Sequence, residues 1–280
     1  LVGPSGCGKS TLFNGILGTH PPTSGRVIVG RNGQEHVVTG PNRNCGIVYQ
    51  HYALYPFLTV LEGVAFGLML DETSLPFRAF RPLAWRKLRS EHLDRAAAAL
   101  RRVHLSDADF GKYASELSGG MQQRVAVAQA IVMRPQILLL DEPFGALDEA
   151  TRESLQTMLL EFYEENRQAI ARGEPPPHTM IIVTHELTEA IYVADRVLGL
   201  SQYWDWRAEG HAACPGATIV YDKPAPVYRP GEPKNYEQFA VQRRDIRETV
   251  FEPPTPTPRG KHVTFWDDAR AGRVQGVIAP

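Results

Sequence analysis

Near the start of the chain, Gly3-Pro-Ser-Gly-Cys-Gly-Lys-Ser10 places glycines, a lysine and a hydroxyl at the spacing G-x-x-x-x-G-K-[ST]. Glycines let backbone N–H groups converge on phosphate oxygens with no Cβ in the way, and a helix opening at Thr11 adds its positive end. The candidate phosphate-binding residues are therefore Gly3, Pro4, Ser5, Gly6, Cys7, Gly8, Lys9, Ser10 and Thr11. Lys9 suits β and γ phosphates, the Ser10 hydroxyl suits Mg²⁺, and Thr11, one step into the helix, reaches an α-phosphate oxygen. Cys7, beside Lys9 and a helix N-terminus, is expected to be thiolate-prone and open to alkylation.

A second constellation lies downstream. Ile137-Leu-Leu-Leu140 is a continuous apolar run, as a strand buried on both faces requires, and it ends in Asp141-Glu142-Pro143. Two carboxylates at a strand end have separate tasks open to them: Asp141 can hold Mg²⁺ through water, and Glu142 can take a proton from water attacking a γ phosphate. Sites in open parallel sheets gather at the carboxyl ends of strands, which places this pair with the phosphate loop.

Between the two lies Leu117-Ser-Gly-Gly-Met-Gln-Gln-Arg124, paired glycines followed by strong helix formers. With this segment the chain resembles the ATPase subunits of ATP-binding cassette (ABC) transporters, and LSGGMQQR matches their signature sequence. The resemblance implies that Ser118, Gly119, Gly120 and Gln122 face the γ phosphate held by an opposite subunit, offering a hydroxyl, N–H groups and a helix dipole. A homodimer or paired cassette would then close around two ATP molecules.

Other positions match the family in order. Gln50, ending Gly46-Ile-Val-Tyr-Gln50, resembles the Q-loop glutamine, which implies contact with Mg²⁺ and the attacking water. Tyr52-Ala-Leu-Tyr-Pro-Phe57 would then face a membrane partner. Gly145-Ala-Leu-Asp148 resembles the D-loop and makes Asp148 an interface residue. His185, ending Met180-Ile-Ile-Val-Thr-His185, resembles the switch histidine that touches the γ phosphate. The implied catalytic group is Glu142 with His185 and Gln50; the implied Mg²⁺ set is Ser10, Gln50 and Asp141.

The elements that must position these groups follow. The expected fold is α/β: a P-loop NTPase core with a mainly parallel sheet, an antiparallel β subdomain and an inserted helical subdomain over about 60–132. Strands near Arg26–Gly30, Glu35–Thr39 and Gly46–Gln50 are assigned to the antiparallel portion. Residues 1–200 form the nucleotide-binding domain, and 201–280 a peripheral extension of strands and irregular tail. Segment 71–89 is basic and reads as a solvated loop and helix that could touch lipid headgroups or a partner, while 171–178, rich in proline, reads as a surface insertion. Thr264–Asp268 reads as part of a partly ordered tail in preference to a docking motif, and no activity is assigned to it. Leu1-Val2-Gly3 reads as the end of a buried strand, so the chain is expected to start mid-domain, with the family's first strands and adenine-stacking aromatic lying upstream.

Bulk properties set the class. In 280 residues, 30 basic groups against 31 acidic ones leave a formal charge of -1, which gives no support for nucleic acid as partner. Cys7, Cys45 and Cys214 show no paired spacing for disulfides or zinc, which fits a reducing compartment. The apolar runs are far shorter than the ~20 residues of a membrane helix. The expected place is peripheral, at the cytoplasmic face of the inner (plasma) membrane, with separate integral membrane permease subunits and a solute-binding protein as partners. Val38-Thr-Gly-Pro-Asn42 resembles importers of nitrate, sulfonate or taurine. Two rival readings remain: a non-transport cassette acting on nucleic acid or ribosomes, disfavoured by the lack of extended heptads, and a binding-only cassette.

Overall fold

The computed structural model describes residues 1–30, 35–145, 147–251 and 256. At its centre is a parallel sheet of β3 (Cys45–Val48), β4 (Ile137–Asp141) and β5 (Thr179–Val183), in the order β3-β4-β5. Register pairs Val48 with Leu140, Leu140 with Ile182, and Asp141 with Val183, so the three strands end together. Leu138, Leu139 and Leu140 are fully buried. Alternation sends Leu139 to one face, against Phe13 and Leu17 of helix α1 (Lys9–Leu17), and Leu138 and Leu140 to the larger core on the other. Each such leucine contributes about 2–3 kcal/mol of burial, which explains why this strand reads as an unbroken apolar run.

Val2 extends the sheet: its N–H donates to Leu198 O at 2.8 Å, and its carbonyl accepts from Leu200 N–H at 2.8 Å. The chain therefore enters the phosphate loop from a fully buried strand position. Two short strands, β1 (Ile28–Val29) and β2 (His36–Val37), pair antiparallel to one side.

The expected antiparallel portion is thus smaller than its three segments. The third of them, β3, belongs to the parallel sheet. Its Gly46 explains how: a Cβ there would stand 3.0 Å from Pro135 Cγ and 3.2 Å from Ala130 O, so glycine lets the strand slide beneath a helix end and reach β4.

Helices α2 (Val60–Glu72), α4 (Pro82–Arg102) and α5 (Gly119–Ile131) pack on one another, and α5 also leans on β3 and on α6 (Glu149–Ala171). Helix α2 opens on a capping box, Thr59 with Glu62. The basic segment, expected as a loop and helix, folds as α3 (Leu75–Phe80) and the first turns of α4, a helical corner.

Segment 171–178 is exposed as expected up to Pro177, but His178 is buried. Its ring Nδ1 lies 2.8 Å from Pro135 O, and its backbone pairs with the Asn166 side chain.

After α7 (Leu187–Val193), strands β6 (Arg196–Ser201) and β7 (Thr218–Pro224) pair antiparallel, α8 (Tyr236–Ile246) packs on α7, and the helical turn that follows it, Arg247–Phe251, packs on both strands. Helix α8 was not anticipated in the extension. Asn235 caps it by accepting from Gln238 N–H, and buried Phe239 stacks edge-on to Tyr192 and Tyr228. Thr264–Asp268 lies outside the described residues, as does most of the proline-rich segment 252–258. Among the described residues, no helix is long and apolar enough to cross a membrane.

Candidate functional site

The phosphate loop runs from the Val2 strand position to α1. A Cβ on Gly3 would fall 2.1 Å from Leu200 O, so only glycine passes beneath β6 here. Gly6 and Gly8 adopt left-handed φ of 76° and 97°, conformations that turn successive N–H groups inward. Gly8 is the N-cap of α1 and brings no side chain to its first N–H groups, leaving those donors for an anion. Ser10 and Thr11 are exposed on the first turn. Lys9 folds back, its Nζ donating to Gly3 O at 2.8 Å and Pro4 O at 3.0 Å. Cys7 corrects the expectation of an accessible thiol. It is 6% exposed beneath the loop, so the N-terminal helix field does not translate into access for a bulky alkylating reagent.

Asp141 ends β4 within the electrostatic reach of Lys9. Burial first, and then the neighbouring Glu142, hold its carboxyl above the usual carboxylate range, against a smaller downward pull from Lys9. Glu142 has φ 47°, an uncommon conformation for a non-glycine residue, and its N–H donates to Val183 O at 2.8 Å. The bend turns its side chain to two groups from the neighbouring strands. Gln50 Nε2, two residues past β3, donates to Glu142 Oε2 at 3.0 Å, and His185 Nδ1, two residues past β5, lies 3.3 Å from Oε1. The common ending of β3, β4 and β5 thus gathers an amide, a carboxylate and an imidazole beside Asp141 and Lys9. A carboxylate so held can accept a proton, while the amide and imidazole orient it and a bound water.

The signature segment is arranged otherwise. Ser118 is the N-cap of α5, accepting from Met121 N–H, and Gln122 Nε2 donates to Ala114 O at 3.0 Å and Leu117 O at 3.2 Å. These contacts shape the loop and leave exposed Gly119 at the helix start, while Gly120 is buried against Thr151. Asp148 caps α6, taking bonds from Thr151 N–H at 3.0 Å and Thr151 Oγ1 at 2.7 Å. The Thr151 hydroxyl, then its N–H, hold the Asp148 carboxyl below its ordinary range. Ala146, within the D-loop-like segment, lies outside the described residues.

Sequence reasoning missed three residues that tie these parts together. Thr151 bonds Asp148 and also lies against Gly120, where a Cβ would meet Thr151 Cγ2 at 2.0 Å. Arg152 donates to Leu147 O at 3.1 Å, and its Nε stands 3.5 Å from Glu189 Oε1. Glu189 in turn accepts from Thr184 Oγ1 at 3.1 Å, just before His185, and burial raises its carboxyl above the ordinary range. Beside Gln50, a groove of about 300 Å³ opens between β3 and α5, lined by Arg43, Tyr49, Ala53, Gln129 and Met133 among others.

Comparison with known proteins meets this geometry. The family described as "ABC transporter" matches residues 1–145. The sulfate/thiosulfate import ATP-binding protein CysA 1 of Agrobacterium fabrum is 41% identical over 202 residues, covering 72% of this chain and 52% of the relative. The bicarbonate transport ATP-binding protein CmpC of Synechococcus elongatus is 38% identical over 231 residues, covering 82% of this chain and 29% of the relative. The chain therefore spans about half the length, or less, of these curated relatives. Among solved structures, the dimeric ATP-binding cassette MJ0796 with ADP and Pi aligns with TM-score 0.54 at 29% identity, over 70% of this chain and 78% of that one. CbiO1 of Clostridium perfringens, part of the transporter complex cbiONQ, aligns with TM-score 0.52 at 28% identity, over 70% of each chain.

Proposed function

The chain belongs to the ABC transporter family, and on that premise we propose that it binds and hydrolyses ATP to drive a separate membrane permease that imports a small anion. The reading rests on one observation: Gln50 and His185 converge on Glu142, beside Asp141 and opposite the phosphate loop. In this reading the loop 3–11 wraps the phosphates, and Lys9 leaves Gly3 O and Pro4 O for β- and γ-phosphate oxygens. Glu142 takes the proton of the attacking water, Gln50 orients that water, and His185 touches the γ phosphate.

The oxygen donors Ser10, Asp141 and Gln50 fit Mg²⁺, which keeps several waters and takes only one or two protein carboxylates beside phosphate oxygens. When bound, the ion would offset charge on the β and γ phosphates.

Ser118, Gly119, Gly120 and Gln122 serve the ATP held by a second cassette, with Asp148 at the same interface. The dimer reported for the MJ0796 cassette supports this arrangement. The groove beside Gln50 and the segment Tyr52–Phe57 would meet the permease, so that closing the dimer moves the membrane partner. The cargoes named for the relatives, sulfate, thiosulfate and bicarbonate, are small oxyanions. They favour such an anion over taurine, with selection left to the permease and a solute-binding protein. The place of work would be the cytoplasmic face of the membrane.

The test is twofold. The purified chain releases phosphate from Mg-ATP and loses that activity with Lys9→Ala. Affinity purification from detergent-solubilised membranes recovers an integral membrane protein. Recovery of ribosomes or nucleic acid in its place overturns the transport reading, and ATP binding without phosphate release overturns the enzymatic one.

A further inference from the structure

The corner where α3 meets α4 is built unlike the rest of the surface. Leu75 is 75% exposed, Phe80 84% and Leu83 82%, the three most exposed large apolar side chains among the described residues. They fall within a few residues of one another, and no core position requires them. The same stretch, 73–90, carries Arg78, Arg81, Arg86, Lys87 and Arg89 and contains no aspartate or glutamate.

Two of these cations are committed locally. Arg78 bonds Thr73 and lies over the Trp85 ring at 5.8 Å, and Arg89 pairs with Glu62. Arg81, Arg86 and Lys87 are exposed and make no ion pair among the described residues. On α4, Leu83, Arg86 and Lys87 share a face by their i, i+3 and i+4 spacing, so apolar and cationic groups point the same way.

An exposed apolar patch rimmed by unpaired cations, on a segment too short to span a bilayer, has the chemistry of an interfacial element. We infer that the α3–α4 corner rests on an anionic phospholipid surface, with Leu75, Phe80 and Leu83 entering the headgroup region and Arg81, Arg86 and Lys87 meeting lipid phosphates. Charge complementarity selects this occupant: five cations without one acid in the stretch match a negative leaflet, whereas a protein partner would need a matching acidic face.

Position supports it. Asp71, at the end of α2 a few residues before the patch, pairs with Arg43 at 3.1 Å, and Arg43 lines the groove beside Gln50. If that groove receives a membrane subunit, the corner lies on the same side. This placement alone rests on the transport reading, and the lipid test below does not, since it uses no permease and no nucleotide.

The full chain is sedimented with vesicles of equal parts phosphatidylglycerol and phosphatidylcholine, and separately with pure phosphatidylcholine. Binding is expected to the mixed vesicles only and to fall as salt rises. Phe80→Ser with Leu83→Ser should weaken it about a hundredfold, since each apolar side chain buried is worth a factor of about ten. Arg86→Gln with Lys87→Gln should weaken it about fivefold per cation. All four positions are exposed, so the far-UV circular dichroism spectrum and the thermal melt should be unchanged and report an intact fold. No binding to mixed vesicles, or binding that these variants leave unaltered, overturns the inference. So does concentration-dependent self-association abolished by the same variants in the absence of lipid, which would assign the corner to a second copy.

Discussion

Two regions of the molecule hold residues of the same proposed reaction in opposite conditions. At the ends of β3, β4 and β5, Gln50 and His185 already contact Glu142 and Asp141 lies near Lys9, so in the proposed reading this half of the site is assembled within one chain. At the start of α5, Ser118 and Gln122 bond only their own neighbourhood, and α5 rests on α6 through the Gly120–Thr151 contact. The first region is pre-organised for chemistry. The second is pre-organised as a surface, with exposed Ser118 and Gly119 at the positive end of the α5 dipole. In the proposed reading, such a division would make ATP itself the missing contact, with nucleotide binding doing mechanical work in bringing two chains together.

The sharpest way to break this comparison is to disable the first region without touching the second. Glu142→Gln keeps the shape and the Gln50 contact geometry but removes the proton acceptor. Turnover should fall by about 10²–10⁴, while ATP binding persists and the ATP-held dimer outlives that of the wild type. Phosphate release and sedimentation with Mg-ATP measure the two halves of the statement. Near-normal turnover would remove Glu142 from its role and leave the convergence on it without a function.

The second prediction asks whether α5 serves the other chain. Lys9→Ala damages the phosphate loop, and Ser118→Arg blocks the open helix start. In a mixed dimer both lesions fall in one composite site, and the other is complete. Each parent alone should be nearly inactive, and mixing should restore up to about half of the wild-type single-turnover amplitude in the heterodimer fraction, with a requirement for Mg-ATP. A mixture as inactive as its parents would mean that α5 does not complete a neighbour's site.

How legible this was differs by the kind of contact. Lys9, Ser10, Asp141 and Glu142 were readable because each sits in a short motif whose spacing carries its own chemistry, and Leu138–Leu140 declared a strand buried on both faces. The partner of β3 was not readable. Residues 45–48 pair with β4 because Gly46 permits a close pass under α5, and that is a tertiary fact which no local periodicity encodes. Thr151 was missed for the same reason, since its place between Gly120 and Asp148 depends on how two helices cross. Cys7 was misjudged because the residues around a thiol can be read from neighbours in sequence, whereas its burial, at 6% exposure, depends on how the loop packs in three dimensions. Helix α8 had a signal, the Asn235 cap followed by Phe239 and Ile246, obscured by the prolines around it.

The smallest expected effect is also the most discriminating about what pre-organisation costs the first region. Asp141 has its native pKa raised, chiefly by burial and then by Glu142. For an acid so shifted, the unfolded chain releases its proton at lower pH than the native chain. Between the unfolded value and the raised native one, stability therefore falls as pH rises, and the full penalty stands above both. Without nucleotide or Mg²⁺ at pH 7, Asp141→Asn should melt higher than the wild type, by about 2 °C or less for a chain of this size. The advantage should shrink as pH falls through the raised native pKa and vanish once Asp141 is protonated in both states. Glu142→Gln should recover part of the same gain by removing the neighbouring charge. With Mg-ATP the order should reverse, because the bound nucleotide stabilises the native wild type and Asn offers the ion a weaker ligand. Thermal melts of the three proteins across pH, with and without Mg-ATP, separate the alternatives. A wild type as stable as Asp141→Asn at pH 7 would mean that Lys9 already compensates the buried carboxylate, and the first region would then be relaxed before ATP arrives, with no strain for the ligand to relieve.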